Sequence, residues 1–313
     1  MTPADGISRS DRRSHGSAPQ PALQQRLLPG TLGQTPLRAL VGLCIALWVA
    51  APGLGLAQDS LPLTAGRLER VADPMASIRP DTRRPGYDFM SPSTQALQSD
   101  RARNPAMLWV REGERLWREP IRPSGERCQD CHGDPQSSMR GVSARYPAWD
   151  ETLGRPVNLM HRIKLCRERH QSATDIPAES DDLLSLEALI ADQSRASAIE
   201  PVNDARLQPA LAEGRSLYAT RIGQLALSCT DCHDRNAGAR LGGSPIPQAH
   251  PTAYPIYRLQ WQALGSLTRR LRGCFSGVRA EAPDPFAPAM TALELFLRDR
   301  AAGMAHEGPG IRP

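Results

Sequence analysis

Cys128-Gln129-Asp130-Cys131-His132 and Cys229-Thr230-Asp231-Cys232-His233 are two copies of one pentapeptide, C-x-x-C-H, in a chain of 313 residues. The likeness extends outward from them. Glu112-Gly113-Glu114-Arg115-Leu116-Trp117 precedes the first copy and Glu213-Gly214-Arg215-Ser216-Leu217-Tyr218 the second, and Gly113 and Gly214 stand at the same offset before Cys128 and Cys229. Downstream, Tyr146-Pro147 precedes Cys166 by the same interval that separates Tyr254-Pro255 from Cys274. Each late cysteine follows an arginine at i−4, Arg162 and Arg270. Ser185-Leu186-Glu187-Ala188-Leu189-Ile190 and Ala292-Leu293-Glu294-Leu295-Phe296-Leu297 then close the units with apolar residues at helical spacing. Landmarks repeated in one order predict a duplicated domain.

The expected architecture is all-α: tandem cytochrome c-like domains over 100–195 and 205–313, preceded by an extended N-terminal arm. Ser180 with Asp181 and Asp182 reads as the start of a helix over Leu183–Ser197. Ile199-Glu200-Pro201-Val202-Asn203-Asp204 reads as a linker. Residues 58–99, rich in Pro, Arg and Ser, show no period and read as a loosely ordered surface arm.

C-x-x-C-H is the attachment signature of haem c. Thiols at i and i+3 lie on one side of a helical turn and can both bond the macrocycle, which leaves the adjacent histidine beneath the iron. Two such motifs predict two covalently bound haem c groups, on Cys128 and Cys131 and on Cys229 and Cys232, with His132 and His233 as proximal ligands. A zinc site would use the four thiolates but would not require a histidine at the same place twice. A redox C-x-x-C would sit in a thioredoxin-like α/β context, which this pattern lacks.

The sixth ligand separates electron carriers from enzymes. Met160 and Met290 would give an ordinary carrier, but they occupy non-equivalent places in the two units. Cys166 and Cys274 occupy equivalent places. They read either as distal thiolates or as one disulfide in an oxidising compartment. His161, His170 and His250 are weaker candidates, since lone histidines are more often packing residues. A thiolate ligand lowers the potential, which points to a chemical role for the sulfur. Arg270, one turn before Cys274, would hold an anion or the thiolate, and Arg269, Arg272 and Arg279 are expected to add a basic surround.

The apolar run over 39–57, after Arg38 and ending Gly55-Leu56-Ala57, reads as a secretory signal peptide with a long leader over 1–57. Pro52 and three glycines argue against a spanning anchor, and Leu43 before Cys44 argues against a lipoprotein site. Without residues 1–57 the chain loses five arginines and two aspartates, leaving a net charge of +2. No nucleic-acid partner is expected on that charge, nor a membrane for the mature form. Aromatic residues are only 4% of the chain, too few to fill a core of this size unaided. Two macrocycles would make up the volume, with Trp117 and Tyr218 beside them.

Together CQDCH, CTDCH, the late cysteines and Arg270-Leu271-Arg272-Gly273-Cys274-Phe275-Ser276-Gly277-Val278-Arg279-Ala280 resemble the SoxA family, the dihaem subunits of SoxAX cytochromes of sulfur-oxidising bacteria. The resemblance covers roughly 75–303. It implies a periplasmic L-cysteine S-thiosulfotransferase with axial pairs His132/Cys166 and His233/Cys274. Cys274 would be catalytic, carrying a persulfide, with Arg270 beside it. Thiosulfate would be coupled to a cysteine of the carrier SoxYZ. Electrons would pass through SoxX, the partner in a heterodimer, to a soluble cytochrome c. The alternative is a plain electron-transfer dihaem cytochrome with a structural disulfide.

Overall fold

The computed structural model describes residues 82–121 and 123–313. The leader 1–57 and the arm up to residue 81 lie outside the described residues.

The arm's last part is ordered, contrary to expectation. Ser91 caps α1 (Pro92–Ser99) by accepting from the Thr94 amide at 3.3 Å. Gln98, 3% exposed, accepts from the Ile311 amide at 2.8 Å and from Arg312 at 2.7 Å. Upstream, Arg83 donates to the carbonyls of Arg300 and Ala302 at 3.0 and 2.9 Å. This segment is too short to show a hydrophobic period, and polar side chains hold it to the far end of the chain.

The first half continues with α2 (Met107–Arg118), α3 (Cys128–His132), α4 (Pro135–Ser138), the hairpin β1 (Ala148–Asp150) and β2 (Arg155–Val157), α5 (Leu159–His170) and α6 (Asp181–Gln193). The second half runs α7 (Gln208–Ala219), α8 (Cys229–His233), the hairpin β3 (Arg240–Leu241) and β4 (Ser244–Pro245), β5 (Ile256–Arg258), β6 (Ala263–Gly265), α9 (Leu267–Gly277) and α10 (Pro288–Arg300). A last strand, β7 (Gly310–Arg312), joins β5 in parallel, while β6 joins it antiparallel. The all-α expectation therefore needs correction: among the described residues helices dominate, but three small sheets accompany them. Their strands are two or three residues long, too short for alternation to show.

The paired landmarks have structural reasons. Gly113 on α2 passes the backbone of α6; a Cβ there would lie 2.9 Å from the Ser185 carbonyl carbon and from Leu189 Cβ. Gly214 on α7 meets α10 in the same way, 2.6 Å from the Ala292 carbonyl carbon and 2.9 Å from Phe296 Cβ. Each glycine lets a helix and the closing helix of its half approach backbone to backbone. Asn158 caps α5 through the His161 amide at 2.9 Å, and Ser266 caps α9 through the Arg269 amide at 3.1 Å. Ser180 caps α6 as expected, although that helix stops at Gln193.

The division between halves is less sharp than 100–195 and 205–313 imply. Leu264 is buried in the first core, with Tyr257 and Phe286 packed on it, while Trp149 packs on the second. The expected linker is no free tether. Ile199 is 1% exposed, donates to the Met304 carbonyl at 2.8 Å and accepts from the Gly303 amide at 2.8 Å. Long-range backbone bonds of this kind leave no pattern in a single segment.

Candidate functional site

Both C-x-x-C-H helices start on the motif's own aspartate. Asp231 Oδ2 accepts from the Ser228 amide at 3.0 Å while Ser228 Oγ accepts from the Asp231 amide at 3.3 Å, a capping box. Asp130 Oδ2 accepts from the Arg127 amide at 2.9 Å in the first copy. The ring expected beside each motif anchors it from the other end. Trp117 Nε1 donates to the Gly133 carbonyl at 2.9 Å, its ring 5.7 Å from that of His132. Tyr218 donates to Asp234 Oδ1 at 2.9 Å, and Arg300 donates to the same oxygen at 2.7 Å in a pair buried on both sides.

In the first half, Cys128, Cys131 and His132 on α3 share a cavity with Cys166 on α5. It measures about 660 Å³ and is walled by Trp117, Met139, Val142, Leu159, Ile163, Leu186 and Ile190. That volume and its apolar walls fit a large flat cofactor. Burial pushes the Cys166 thiol above its ordinary value. Two basic residues on this helix, Arg162 and Arg169, both donate to Asp150, at 2.6 and 3.0 Å. His170 also lines the cavity.

In the second half, His233 on α8 and Cys274 on α9 line one cavity. His233 Nδ1 donates to the Pro247 carbonyl at 2.7 Å, which frees Nε2 to serve as a ligand. Burial would raise the Cys274 thiol, but neighbouring His233 and the charges of Arg270 and Arg258 hold it below its ordinary value. Cys229 differs: burial pushes it up to about 12. The donor set is that of the first half and fits the same cofactor by its chemistry. The cavity beside it measures about 140 Å³.

Arg270 lines the Cys274 cavity, as i and i+4 spacing on α9 requires. The expected basic surround is different. Arg269 lies over the Trp261 ring at 4.4 Å, Arg272 donates to the Pro283 carbonyl, and Arg279 is exposed. None of the three lines the Cys274 cavity. Arg258 and Arg312, from two sheet strands, take their place. Sequence reading missed both, because neither is near the cysteine along the chain.

The other candidate ligands fall elsewhere. Met160 and Met290 are each 1% exposed in the two cores and line neither cavity. His161 stacks on Phe286 with ring centres 4.5 Å apart, and burial holds it down at about 4. His250 borders the second cavity but donates from Nδ1 to the Arg84 carbonyl at 2.9 Å. The six described cysteines are all free, and Cys166 and Cys274 belong to different cavities, so the expected alternative of a disulfide between them is not met. No helix among the described residues is long and apolar enough to cross a membrane.

Short C-x-x-C-H helices, each facing a further cysteine across a site walled by helices, define a c-type cytochrome, a haem c protein. Residues 112–199 match the SoxA/TsdA cytochrome c domain. L-cysteine S-thiosulfotransferase subunit SoxA of Pseudaminobacter salicylatoxidans is 32% identical over 72% of this chain and 80% of its own length. The protein of that name from Paracoccus pantotrophus is 32% identical over 90% of this chain and 97% of its own. The crystal structure of SoxXA from P. pantotrophus superposes with a TM-score of 0.72, at 32% identity, covering 74% of this chain and 88% of that one. This chain belongs to the SoxA family, the SoxA subunits of L-cysteine S-thiosulfotransferase, and its function is that of a thiosulfate-related cytochrome.

Proposed function

We propose that the chain is a periplasmic enzyme subunit that couples thiosulfate to a cysteine thiol of the carrier SoxYZ at Cys274, paired with a SoxX subunit. The observation that carries this is Cys274, which shares one cavity with the histidine of a C-x-x-C-H helix and with Arg270. The matched landmarks support reading the chain as tandem cytochrome c-like domains over 100–195 and 205–313, with a leader over 1–57 and an arm over 58–99. They also support two covalently bound haem c groups, on Cys128 and Cys131 and on Cys229 and Cys232. His132 with Cys166, and His233 with Cys274, would hold the two irons.

In the coupling, the terminal sulfur of thiosulfate and the carrier thiol form one S–S bond. The products are a carrier S-thiosulfonate, one proton and two electrons. Haem, when bound, would supply the one-electron redox chemistry by which those electrons could leave towards SoxX and a soluble cytochrome c. Arg270 orients the anion, using the two-point fit of guanidinium to an oxyanion. His233 keeps its Nδ1 proton on Pro247 and so stays in one ring orientation.

The electron-carrier alternative requires Met160 or Met290 near a motif histidine, and neither lines the cavity of His132 or that of His233. The deciding experiment replaces Cys274 with Met in the haem-loaded complex. The expected result is a changed low-spin ferric EPR signal and loss of thiosulfate-dependent turnover. An unaltered spectrum with full turnover would overturn the proposal.

A further inference from the structure

The two halves place the same backbone beside the late cysteine but put opposite charges on it. β1–β2 and β5–β6 are antiparallel hairpins of matching register, pairing Asp150 with Arg155 in one and Arg258 with Ala263 in the other. Asp150 and Arg258 each end the first strand of their hairpin, and they stand at the same offset before Cys166 and Cys274. The arginine at i−4 from the cysteine is common to both.

In the first half the acid neutralises that arginine. Asp150 is fully buried and receives Arg162 at 2.6 Å and Arg169 at 3.0 Å. Arg167, also on that cavity, is matched by Asp182 at 3.3 Å. In the second half a base stands where Asp150 would be. Among the described residues neither Arg258 nor Arg270 pairs with a carboxylate, and no Asp or Glu side chain lines their cavity. Arg312, the third base there, is already matched to Glu307 at 2.9 Å. Arg258 Nε is buried with no hydrogen-bond partner, and the guanidinium lies 5.3 Å over the Trp261 ring. Two half-buried cations with no carboxylate partner share this cavity, where only the Cys274 sulfur offsets them, and their mutual repulsion is free energy that a bound anion would recover.

We infer that Arg258 is a second anion-holding residue of the Cys274 site, forming with Arg270 a two-cation clamp for a small divalent sulfur oxyanion. The exchange of Asp150 for Arg258 between the halves is what confines anion chemistry to the second one. Thiosulfate suits the clamp because its two charges are spread over several acceptor atoms that two planar guanidinium groups can share. A monovalent anion would leave one cation unmatched. This inference rests on the reading of Cys274 as the thiosulfate site and adds the determinant of substrate charge.

The test uses the haem-loaded heterodimer. Arg258→Gln should raise both the thiosulfate KM and the calorimetric Kd roughly ten- to a hundred-fold, the loss of a charge-assisted hydrogen bond. kcat should fall by less, and the low-spin EPR signal should keep its form. Arg258→Lys should recover part of the affinity. In the unsubstituted protein, sulfate should inhibit competitively at concentrations at least ten-fold lower than nitrate, which tests the clamp if the Gln variant fails to fold. Equal inhibition by sulfate and nitrate, or a Gln variant with Kd within two-fold, would overturn the inference. The proposed function would survive that outcome if Cys274→Met still abolished turnover, whereas turnover in Cys274→Met would remove the function itself.

Discussion

Replacing Gly214 by alanine sets two effects of opposite sign against each other. Alanine is better than glycine in a helix interior by about 1 kcal/mol, so an unobstructed position would gain stability. At Gly214 the added Cβ would lie 2.6 Å from the Ala292 carbonyl carbon and 2.9 Å from Phe296 Cβ. Non-bonded carbons rest at about 3.5–4.0 Å, so α7 and α10 would have to separate by roughly 1 Å. The nearest atoms belong to the α10 backbone, which has no rotamer to change. Overpacking of this kind costs about 1–3 kcal/mol, and a rigid neighbour puts it at the upper end, so the net loss is about 1–2 kcal/mol. Gly277→Ala is the control: it is also helical, and nothing lies within 4 Å of its Cβ position. Thermal unfolding of the haem-loaded protein should place the Gly214 variant about 2–8 °C below the parent and the Gly277 variant level with or above it. A Gly214→Ala protein as stable as its parent would refute the claim that glycine is there for the backbone contact.

Two further predictions concern buried charge. Burial raises Glu294 from its ordinary 4.5 to about 7, despite a hydrogen bond from Thr268. Between these values the unfolded chain releases a proton that the folded chain retains, so stability falls as pH rises from about 4.5 to 7 and levels off above. Glu294→Gln should flatten that slope in a series of melting curves, and an unchanged slope would assign it to another group. Asp150 behaves oppositely: Arg169 and Arg162 hold its carboxylate well below the ordinary 3.8, so its contribution is present above that value and disappears as pH falls below it. Asp150→Asn should cost about 2–4 kcal/mol at neutral pH in denaturant titration, since it strands two half-buried arginines. A loss below about 0.5 kcal/mol would mean that water screens the pair as it does a surface ion pair.

Much of the site was legible because its chemistry is written in short spacings. Cys128, Cys131 and His132 lie within one turn of helix, as do Cys229, Cys232 and His233, so no tertiary information is needed to group them. Repeat position assigns Cys166 to the first motif and Cys274 to the second; Cys166 lines the cavity of Cys128, Cys131 and His132, and Cys274 that of His233. The arginine cluster did not follow. Proximity in sequence grouped Arg269, Arg270 and Arg272, but successive helical residues turn by about 100°, and only Arg270 lies on the face of Cys274. The arm was misread because a short helix held by Gln98 and Ser91 carries no apolar stripe.

By itself, then, the sequence determined the matched landmarks, the two C-x-x-C-H motifs, the late cysteines and the family, since each depends on residues close in the chain or on comparing one half with the other. The tertiary structure decided which charges share a cavity. Asp150 reaches back to Arg162 and Arg169 across a hairpin, whereas Arg258 and Arg312 approach Cys274 from neighbouring strands. Coulomb energies depend on distance through space and on burial, and neither is a function of separation along the chain.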